Sequence, residues 1–213
     1  MTDACPPGTP GAYPSDCEIM EGYRSLARAR QQQGTTQDTR VILEKARDIR
    51  ILLLDVDGVL TDGSIHCGDD GTEGKRFNTQ DGFGLRLLHE AGIDSGLISA
   101  RSSEAVSRRA TELNIRFVFQ GVSSKLTAFQ NILKETGYKP YQAAYMGDDW
   151  LDLPLLTRAG LALAPASAVS QVREAAHYVT SRRGGDGAVR EACELILEGR
   201  GLFAELLQRH LSR

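Results

Sequence analysis

Two aspartates lie two positions apart directly after an apolar run, in the segment ILLLDVDGVLTDG (51–63). Alternate side chains of extended backbone point to the same side, so Asp55 and Asp57 can face one ligand. Carboxylates at the end of a buried strand need solvent or a cation, because a bare buried charge is costly. Mg²⁺ takes oxygen ligands, often from one or two protein carboxylates. The segment therefore predicts a magnesium site.

A second acidic cluster follows another apolar run, in YMGDDWLD (145–152). It contains Asp148, Asp149 and Asp152, and Gly147 precedes them as the chain leaves the run. If both apolar runs are parallel strands of one sheet, the two acidic clusters meet at the same edge. The pair of clusters predicts a shared metal site more strongly than either cluster does alone.

A carboxylate beside Mg²⁺ suits phosphoryl transfer, because the metal offsets phosphoryl charge and the carboxylate can attack phosphorus. Such a site also needs a hydroxyl and a fixed cation for the remaining phosphoryl oxygens. Ser99, which ends the run SGLIS, supplies the hydroxyl. Lys125 supplies the cation at the start of a predicted helix, near the positive end of the helix dipole.

The elements that must position these residues alternate between apolar β-rich runs and amphipathic helical runs. This alternation predicts an α/β fold with a doubly wound, mainly parallel, Rossmann-like sheet. The predicted strands are 51–55, 95–99, 117–119, 143–146, 161–164 and 178–180. Predicted helices lie near 82–91, 103–113, 125–136, 150–158, 168–175, 189–197 and 202–211. Asp55, Ser99 and Asp148 all follow strand ends, where ligands of open α/β sheets bind.

One segment interrupts this alternation. Residues 64–78 have turn chemistry between short β-like flanks and predict a β-hairpin that projects from the exit of the first strand. The hairpin, one helix and one strand fill the interval from Asp57 to Ser99, so no cap domain fits there. We therefore expect an open site, which neighbouring subunits of a homo-oligomer would complete.

Composition excludes several classes of protein. The chain has 213 residues, 41% of them hydrophobic, and 25 basic against 28 acidic side chains give a net charge of −3. Nucleic-acid and anionic-membrane binders rely on a basic excess that is missing here. The four cysteines are widely spaced and the first 20 residues do not resemble a signal peptide, so we expect a cytoplasmic protein. We divide the chain into a polar extension (1–40), a catalytic domain (41–200) and a C-terminal helical tail (201–213).

The order and spacing of these motifs resemble the haloacid dehalogenase superfamily, and in particular its capless phosphatases of sugar acid phosphates. The resemblance rests on five blocks in order: LLLDVDGVLTDG, FNTQDGFGLRLL, GVSSKLTAF, AYMGDDWLDLPLL and GGDGAVREACELIL. It implies a Mg²⁺-dependent phosphatase of an eight-carbon keto sugar acid phosphate, whose product serves lipopolysaccharide assembly. It also implies a tetramer.

The resemblance assigns roles to individual residues. Asp55 is the implied nucleophile and a metal ligand, and Asp57 is the implied acid and base. The backbone carbonyl of Asp57 and the side chain of Asp148 complete the protein ligands of Mg²⁺. Ser99 and Lys125 are the implied phosphoryl-binding residues. Asp149 and Asp152 are implied to orient Lys125 and metal-bound water. The implied substrate-binding residues are Asn78, Gln80, Gly82, Arg101, Arg182 and Arg183.

Two departures from the family pattern bear on the substrate. The segment SAR (99–101) stands where the family more often has Thr-Gly-Arg, and Gln80 stands where octulosonate phosphatases have arginine. A missing cation at position 80 keeps a nine-carbon ulosonate 9-phosphate open as the substrate. A non-catalytic regulatory domain of the same fold is the alternative from another class. Two interpretations of the segment SRRGGDG (181–187) stay open: a plain loop and a substrate-binding loop.

Overall fold

A computed structural model describes residues 39–212. Its strands are β1 Ile51–Leu54, β2 His66–Cys67, β3 Glu73–Gly74, β4 Asp94–Ile98, β5 Phe117–Phe119, β6 Ala143–Met146, β7 Leu161–Ala164 and β8 Tyr178–Val179. Its helices are α1 Thr39–Arg47, α2 Thr79–Glu90, α3 Glu104–Glu112, α4 Lys125–Thr136, α5 Leu153–Leu156, α6 Ser170–Ala175, α7 Ala188–Gly199 and α8 Phe203–Leu211. Two 3₁₀ turns cover Pro140–Gln142 and Trp150–Asp152.

Six strands form one sheet in the order β5-β4-β1-β6-β7-β8, and every pair in it is parallel. The chain runs outward from β1 to β4 and β5, and then crosses to β6 on the other side. This confirms the predicted doubly wound α/β fold. The order reverses between β1 and β6, so the carboxyl end of β1 lies at the switch point where such folds bind ligands.

β1 lies at the centre of the sheet, and both of its faces are buried. Leu52 and Leu54 belong to one core cluster, whereas Ile51 and Leu53 belong to the cluster on the opposite face. A strand covered on both sides is expected to be a continuous apolar run rather than an alternating one. The first polar residue after this run, Asp55, therefore marks the edge of the core.

The predicted helix 150–158 is shorter in the structure. A 3₁₀ turn at Trp150–Asp152 precedes α5, which ends at Leu156. Pro154 lies in the first turn of α5, where a missing N–H costs nothing. Asp149 caps the 3₁₀ turn with its side chain, so local capping by the acidic cluster sets the path of the chain here.

Residues 64–78 contain a two-stranded antiparallel pairing of β2 with β3, and this pairing is separate from the main sheet. Among residues 39–212, this short hairpin and α2 are the elements between β1 and β4. The structure thus places a hairpin where a cap domain would be inserted.

The two ends of the described chain pack on the domain. Thr39 and Arg40, which we assigned to the N-terminal extension, form the first turn of α1. The rest of that extension lies outside the described residues. The C-terminal tail forms α8, and its Leu206 is buried in the core cluster that contains Leu52. Among the described residues, none of the helices has the length and apolar character needed to cross a membrane.

Candidate active site

The loop after β1 carries Asp55 into the site. The backbone N–H of Asp55 donates to Met146 O at 3.0 Å, which extends the pairing of β1 with β6 by one residue. The chain then turns, and the N–H groups of Val59, Leu60 and Thr61 converge on the carbonyl of Val56. Val56 is fully buried, as the alternation of side chains predicts. The turn leaves Asp55 at the carboxyl end of the sheet.

Gly58 allows the second acidic cluster to approach this loop. Its φ of +92° favours glycine, and a Cβ at this position would overlap the carboxylate of Asp148. Gly147 likewise allows Asp152 to approach the backbone, because the Asp152 side chain occupies the space that a Cβ at position 147 would need. The glycines of the two motifs therefore bring the carboxylates of β1 and β6 together.

Asp152 is the centre of a buried hydrogen-bond network. Its Oδ1 accepts from Lys125 Nζ at 2.7 Å and from the Tyr145 hydroxyl at 2.6 Å. Its Oδ2 accepts from the backbone N–H groups of Asp148 at 2.9 Å and Asp149 at 3.2 Å. Both carboxylate oxygens are thus engaged by protein donors, so Asp152 has the surroundings of an orienting group rather than a metal ligand.

Lys125 joins this network to Asp55, since its Nζ also lies 2.8 Å from Asp55 Oδ1. The side chain of Lys125 is only 6% exposed. Burial opposes its charge, but the attraction of Asp55 and Asp152 outweighs burial and raises the pKa of Lys125. Lys125 is therefore a fixed cation beside Asp55 and Asp152, and its contact with a phosphoryl group stays a prediction.

Uncompensated negative charge remains even with Lys125 in place. Burial and repulsion by Asp152 raise the pKa of Asp55 to about 6, although Lys125 opposes the shift. Burial and repulsion by Asp55 and Asp152 raise the pKa of Asp148 to about 7. Carboxylate oxygens of Asp55, Asp148 and Asp152 lie within 4.8 Å of one another. Hard oxygen ligands at such spacing, with excess negative charge, fit a divalent cation such as Mg²⁺.

Ser99 and Asp149 also follow strands of the main sheet. Ser99 follows β4, and its Oγ accepts from the backbone N–H of Arg101 at 3.2 Å. Asp149 accepts from the N–H of Trp150 at 2.7 Å, so its side chain shapes the turn. Of the two acids expected to orient Lys125, the structure places Asp152 against it. The role of Asp149 toward Lys125 or metal-bound water stays a prediction.

Asp57 faces a different set of partners from Asp55. It forms an ion pair with Lys75, which follows β3 of the hairpin, and its Oδ2 lies 3.7 Å from Arg101 Nε. The Lys75 side chain is 1% exposed and also lies 3.2 Å from Glu73 Oε1. Glu73 Oε2 accepts from Arg101 Nη2 at 2.8 Å.

Sequence reasoning singled out Arg101 but missed Lys75 and Glu73. Their partners are far away along the chain, and no local pattern announces them. Tyr145 was also missed, although the sequence contains a signal for it. Its hydroxyl lies in the buried run AAYM, and a buried hydroxyl needs a hydrogen-bond partner.

The glycine-rich loop 181–187 packs on the loop that carries Asp55 and Asp57. A Cβ at Gly184 would overlap the carbonyl of Gly58, and the N–H of Gly185 donates to Val59 O at 2.9 Å. The buried Asp81 holds the far end of this loop by accepting from the N–H of Gly187 at 3.3 Å and of Arg190 at 2.8 Å. The loop therefore supports the site by backbone packing.

The remaining predicted substrate-binding residues have structural explanations or lie exposed. Asn78 caps α2 by accepting from the N–H groups of Gln80 and Asp81. Gly82 leaves room for Arg109, whose guanidinium a Cβ would overlap. The side chains of Gln80 and Arg182 both lie near Gly187. Arg182 and Arg183 are exposed. Substrate contact by any of these residues, or by Arg101, stays a prediction.

Known proteins resemble this chain over most of its length. A family model described as haloacid dehalogenase-like hydrolase matches residues 103–191. The 3-deoxy-D-manno-octulosonate 8-phosphate phosphatase KdsC of Yersinia pestis is 44% identical over 156 residues, which cover 73% of this chain and 83% of the relative. The enzyme of the same name from Escherichia coli K12 is 42% identical over 164 residues, which cover 77% and 87% of the two chains.

A solved structure agrees with these relatives. The 3-deoxy-D-manno-octulosonate 8-phosphate phosphatase of Moraxella catarrhalis, in complex with a magnesium ion, a phosphate ion and a KDO molecule, superposes with a TM-score of 0.79. It is 41% identical, and the match covers 80% of this chain and 98% of that structure.

Proposed function

Because the chain belongs to the haloacid dehalogenase-like hydrolases, in the group of the 3-deoxy-D-manno-octulosonate 8-phosphate phosphatases, we propose that it hydrolyses this sugar acid phosphate to the free acid and phosphate. It is a phosphoric monoester hydrolase that uses Mg²⁺. The observation that carries the assignment is the cluster in which carboxylate oxygens of Asp55, Asp148 and Asp152 converge, with Lys125 in contact with Asp55 and Asp152.

The metal would be held by the carboxylates of Asp55 and Asp148 and by the backbone carbonyl of Asp57. When bound, Mg²⁺ neutralises these carboxylates and offsets charge on the phosphoryl oxygens. The orienting role falls to Asp152, because protein donors already engage both of its oxygens. Lys125 and the Ser99 hydroxyl bind phosphoryl oxygens.

Phosphoryl transfer proceeds in two steps on this chain's own residues. A carboxylate oxygen of Asp55 attacks phosphorus, the bond to the sugar oxygen breaks, and Asp57 donates a proton to the leaving oxygen. Asp57 then takes a proton from the water that attacks the aspartyl-phosphate and releases phosphate. The contact with Lys75 positions the Asp57 side chain for both proton transfers.

Substrate discrimination is assigned to residues around Asp57. We assign the carboxylate of the sugar acid to Arg101, because its guanidinium lies 3.7 Å from Asp57 and its side chain is about half exposed. Gln80, Arg182 and Arg183 are the further candidates. Gln80 also keeps the nine-carbon ulosonate 9-phosphate as the second candidate substrate, because an amide recognises a carboxylate less strongly than a guanidinium does.

A substrate panel tests the proposed function. Phosphate release would be measured for 3-deoxy-D-manno-octulosonate 8-phosphate, a nonulosonate 9-phosphate and a neutral sugar phosphate, each with Mg²⁺. We expect the octulosonate ester to have the highest kcat/KM, by about tenfold or more over the neutral ester. A higher kcat/KM for the nonulosonate would support the second candidate, and a preference for the neutral ester would contradict both.

We propose that the chain acts in the cytoplasm and self-associates, with a tetramer as the expected state. The hairpin carries the half-exposed Ile65, and Trp150 and Leu151 are exposed beside the acidic cluster. Exposed apolar side chains of this kind are typical of interaction surfaces. Size-exclusion chromatography with light scattering tests this proposal. A monomer with full activity would contradict it, and Ile65→Asp should shift the protein toward smaller species.

A further inference from the structure

The hairpin presents a carboxylate to the two cations that lie beside Asp57. Glu73 Oε2 accepts a hydrogen bond from Arg101 Nη2 at 2.8 Å, and Glu73 Oε1 lies 3.2 Å from Lys75 Nζ. Contact with Lys75 and Arg101 lowers the pKa of Glu73, so it is ionised at neutral pH. A carboxylate of this protein thus occupies the cations that are placed to receive a substrate.

Charge balance shows why this matters for binding. Glu73 places a negative charge against the two cations, Lys75 and Arg101. This charge reduces the attraction that the two cations offer to a second carboxylate. The Nη2 group of Arg101, which donates to Glu73, becomes available to an incoming carboxylate when Glu73 releases it.

The contacts of Glu73 are suited to exchange. Its side chain is 27% exposed and that of Arg101 is 46% exposed, so water reaches both partners. Glu73 Oε1 is buried and has no hydrogen-bond partner of good geometry, although Lys75 lies close by. Half-exposed ion pairs contribute little net free energy, and a poorly satisfied carboxylate is displaced more easily than a fully bonded one.

We propose that Glu73 is an internal stand-in for the substrate carboxylate, which holds Arg101 in the free enzyme and is displaced when a carboxylate-bearing phosphate ester binds. The inference rests on the proposed function of the site. It makes Glu73 a specificity-determining residue: an ester without a carboxylate cannot displace Glu73 and binds through its phosphoryl group alone.

The test compares Glu73→Gln with the parent chain and with Asp69→Asn. Asp69 is an exposed carboxylate in the turn of the same hairpin, so its substitution removes the same charge from the same element. Hydrolysis of p-nitrophenyl phosphate reports the phosphoryl site. Free 3-deoxy-D-manno-octulosonate, which has the carboxylate and no phosphate, is the inhibitor, and its Ki reports the carboxylate site.

We expect Glu73→Gln to lower the Ki of the free sugar acid about three- to tenfold, because the amide competes less well for Arg101. The KM for p-nitrophenyl phosphate should stay within about twofold of the parent value, as should both constants in Asp69→Asn. An unchanged or higher Ki in Glu73→Gln would overturn the proposal, as Glu73 would then only orient Arg101. An equal fall in Ki and in the KM for p-nitrophenyl phosphate would also overturn it, since that pattern reflects only the lost charge.

The proposed function can fail separately. If the parent chain hydrolyses p-nitrophenyl phosphate but not 3-deoxy-D-manno-octulosonate 8-phosphate, the substrate assignment is wrong. The effect of Glu73→Gln on the Ki still decides the proposal for Glu73, and an absence of inhibition in both proteins would overturn it.

Discussion

Two groups of charged residues lie on either side of the loop that contains Asp55 and Asp57. The buried cluster consists of Asp55, Lys125, Asp148 and Asp152, and the hairpin cluster consists of Asp57, Glu73, Lys75 and Arg101. Each contains a lysine that is almost inaccessible to solvent, yet the surroundings differ. Lys125 pairs with carboxylates that are at most 10% exposed, whereas those of Lys75 are 21% and 27% exposed.

This difference indicates a division of labour. The buried cluster is fixed by β1, β6 and the first turn of α4, and removal of Lys125 would leave its carboxylates without a cation. The hairpin cluster is wetter, and its ion pairs can be exchanged at little cost. Attack on phosphorus thus belongs to the buried cluster, whereas the hairpin cluster combines substrate recognition by Arg101 with the acid and base role of Asp57.

The strongest way to break this account is to remove the nucleophile. Asp55→Asn should lower kcat by more than about 10³-fold, because an amide cannot form the aspartyl-phosphate. The fold should survive, since Lys125 keeps its contact with Asp152. Steady-state phosphate release and circular dichroism would be measured together. Substantial turnover by a folded Asp55→Asn protein would refute the assigned role.

The two lysines provide a matched pair. Lys125→Met should lower the free energy of unfolding by about 3–5 kcal/mol, because Asp55 and Asp152 are left buried without a cation. Lys75→Met should cost less than about 1 kcal/mol, because its partners reach solvent. Urea unfolding measures both. Equal losses would remove the distinction between the clusters.

The activity of Lys125→Met should also fall. Lys125→Met should reduce kcat by about 10²-fold or more, since a preorganised cation at the phosphoryl group is lost. A kcat of Lys125→Met equal to that of the parent would show that turnover does not depend on Lys125.

Arg101 sharpens the recognition half of the comparison. Arg101→Ala should raise KM for the sugar acid phosphate about tenfold, because a charge-assisted hydrogen bond to the carboxylate is lost. KM for a neutral sugar phosphate should change by less than about twofold. If both substrates were affected alike, Arg101 would belong to phosphoryl binding and the buried cluster would no longer act alone.

The smallest expected effect is on stability, and it follows from the raised pKa values of Asp55 and Asp148. Without metal, the folded protein binds more protons than the unfolded chain from about pH 4 to the raised pKa values of about 6 and about 7. These two groups therefore lower stability as pH rises through that window. Mg²⁺ reverses the effect when the carboxylates are ionised, because it neutralises them.

Thermal unfolding with and without Mg²⁺ tests this prediction. The increase in Tm should be a few degrees larger at pH 8 than at pH 5.5, where protons compete for the carboxylates. Asp148→Asn should lose most of the increase. The same Mg²⁺ effect at both pH values would argue against these carboxylates as ligands.

The buried cluster was largely readable from the sequence. DVDG and GDDWLD each follow an apolar strand, and the rule for parallel sheets brings them to one edge. Lys125 was placed correctly because its helix begins at that residue. The predicted strands agree with the structure to within one residue at either end.

Two members of the hairpin cluster, Lys75 and Glu73, could not be predicted from local sequence patterns. Lys75 and Glu73 act through partners 18 and 28 residues away, and the fold of a short hairpin is not set by periodicity. The part played by loop 181–187 was also open, because backbone packing of Gly184 on Gly58 leaves no trace except the glycine itself. Local patterns and the family resemblance thus predicted the scaffold, its acids and Arg101, whereas only tertiary contacts revealed Lys75 and Glu73.

Trapping the covalent intermediate tests the central claim most directly. The full chain would be mixed with Mg²⁺ and 3-deoxy-D-manno-octulosonate 8-phosphate, quenched in acid within one turnover, reduced with borohydride and analysed by peptide mass spectrometry. An aspartyl-phosphate at Asp55 predicts homoserine at position 55 and no change at Asp57. Unmodified Asp55 in a sample that has released phosphate, or modification of Asp57 instead, would contradict the account.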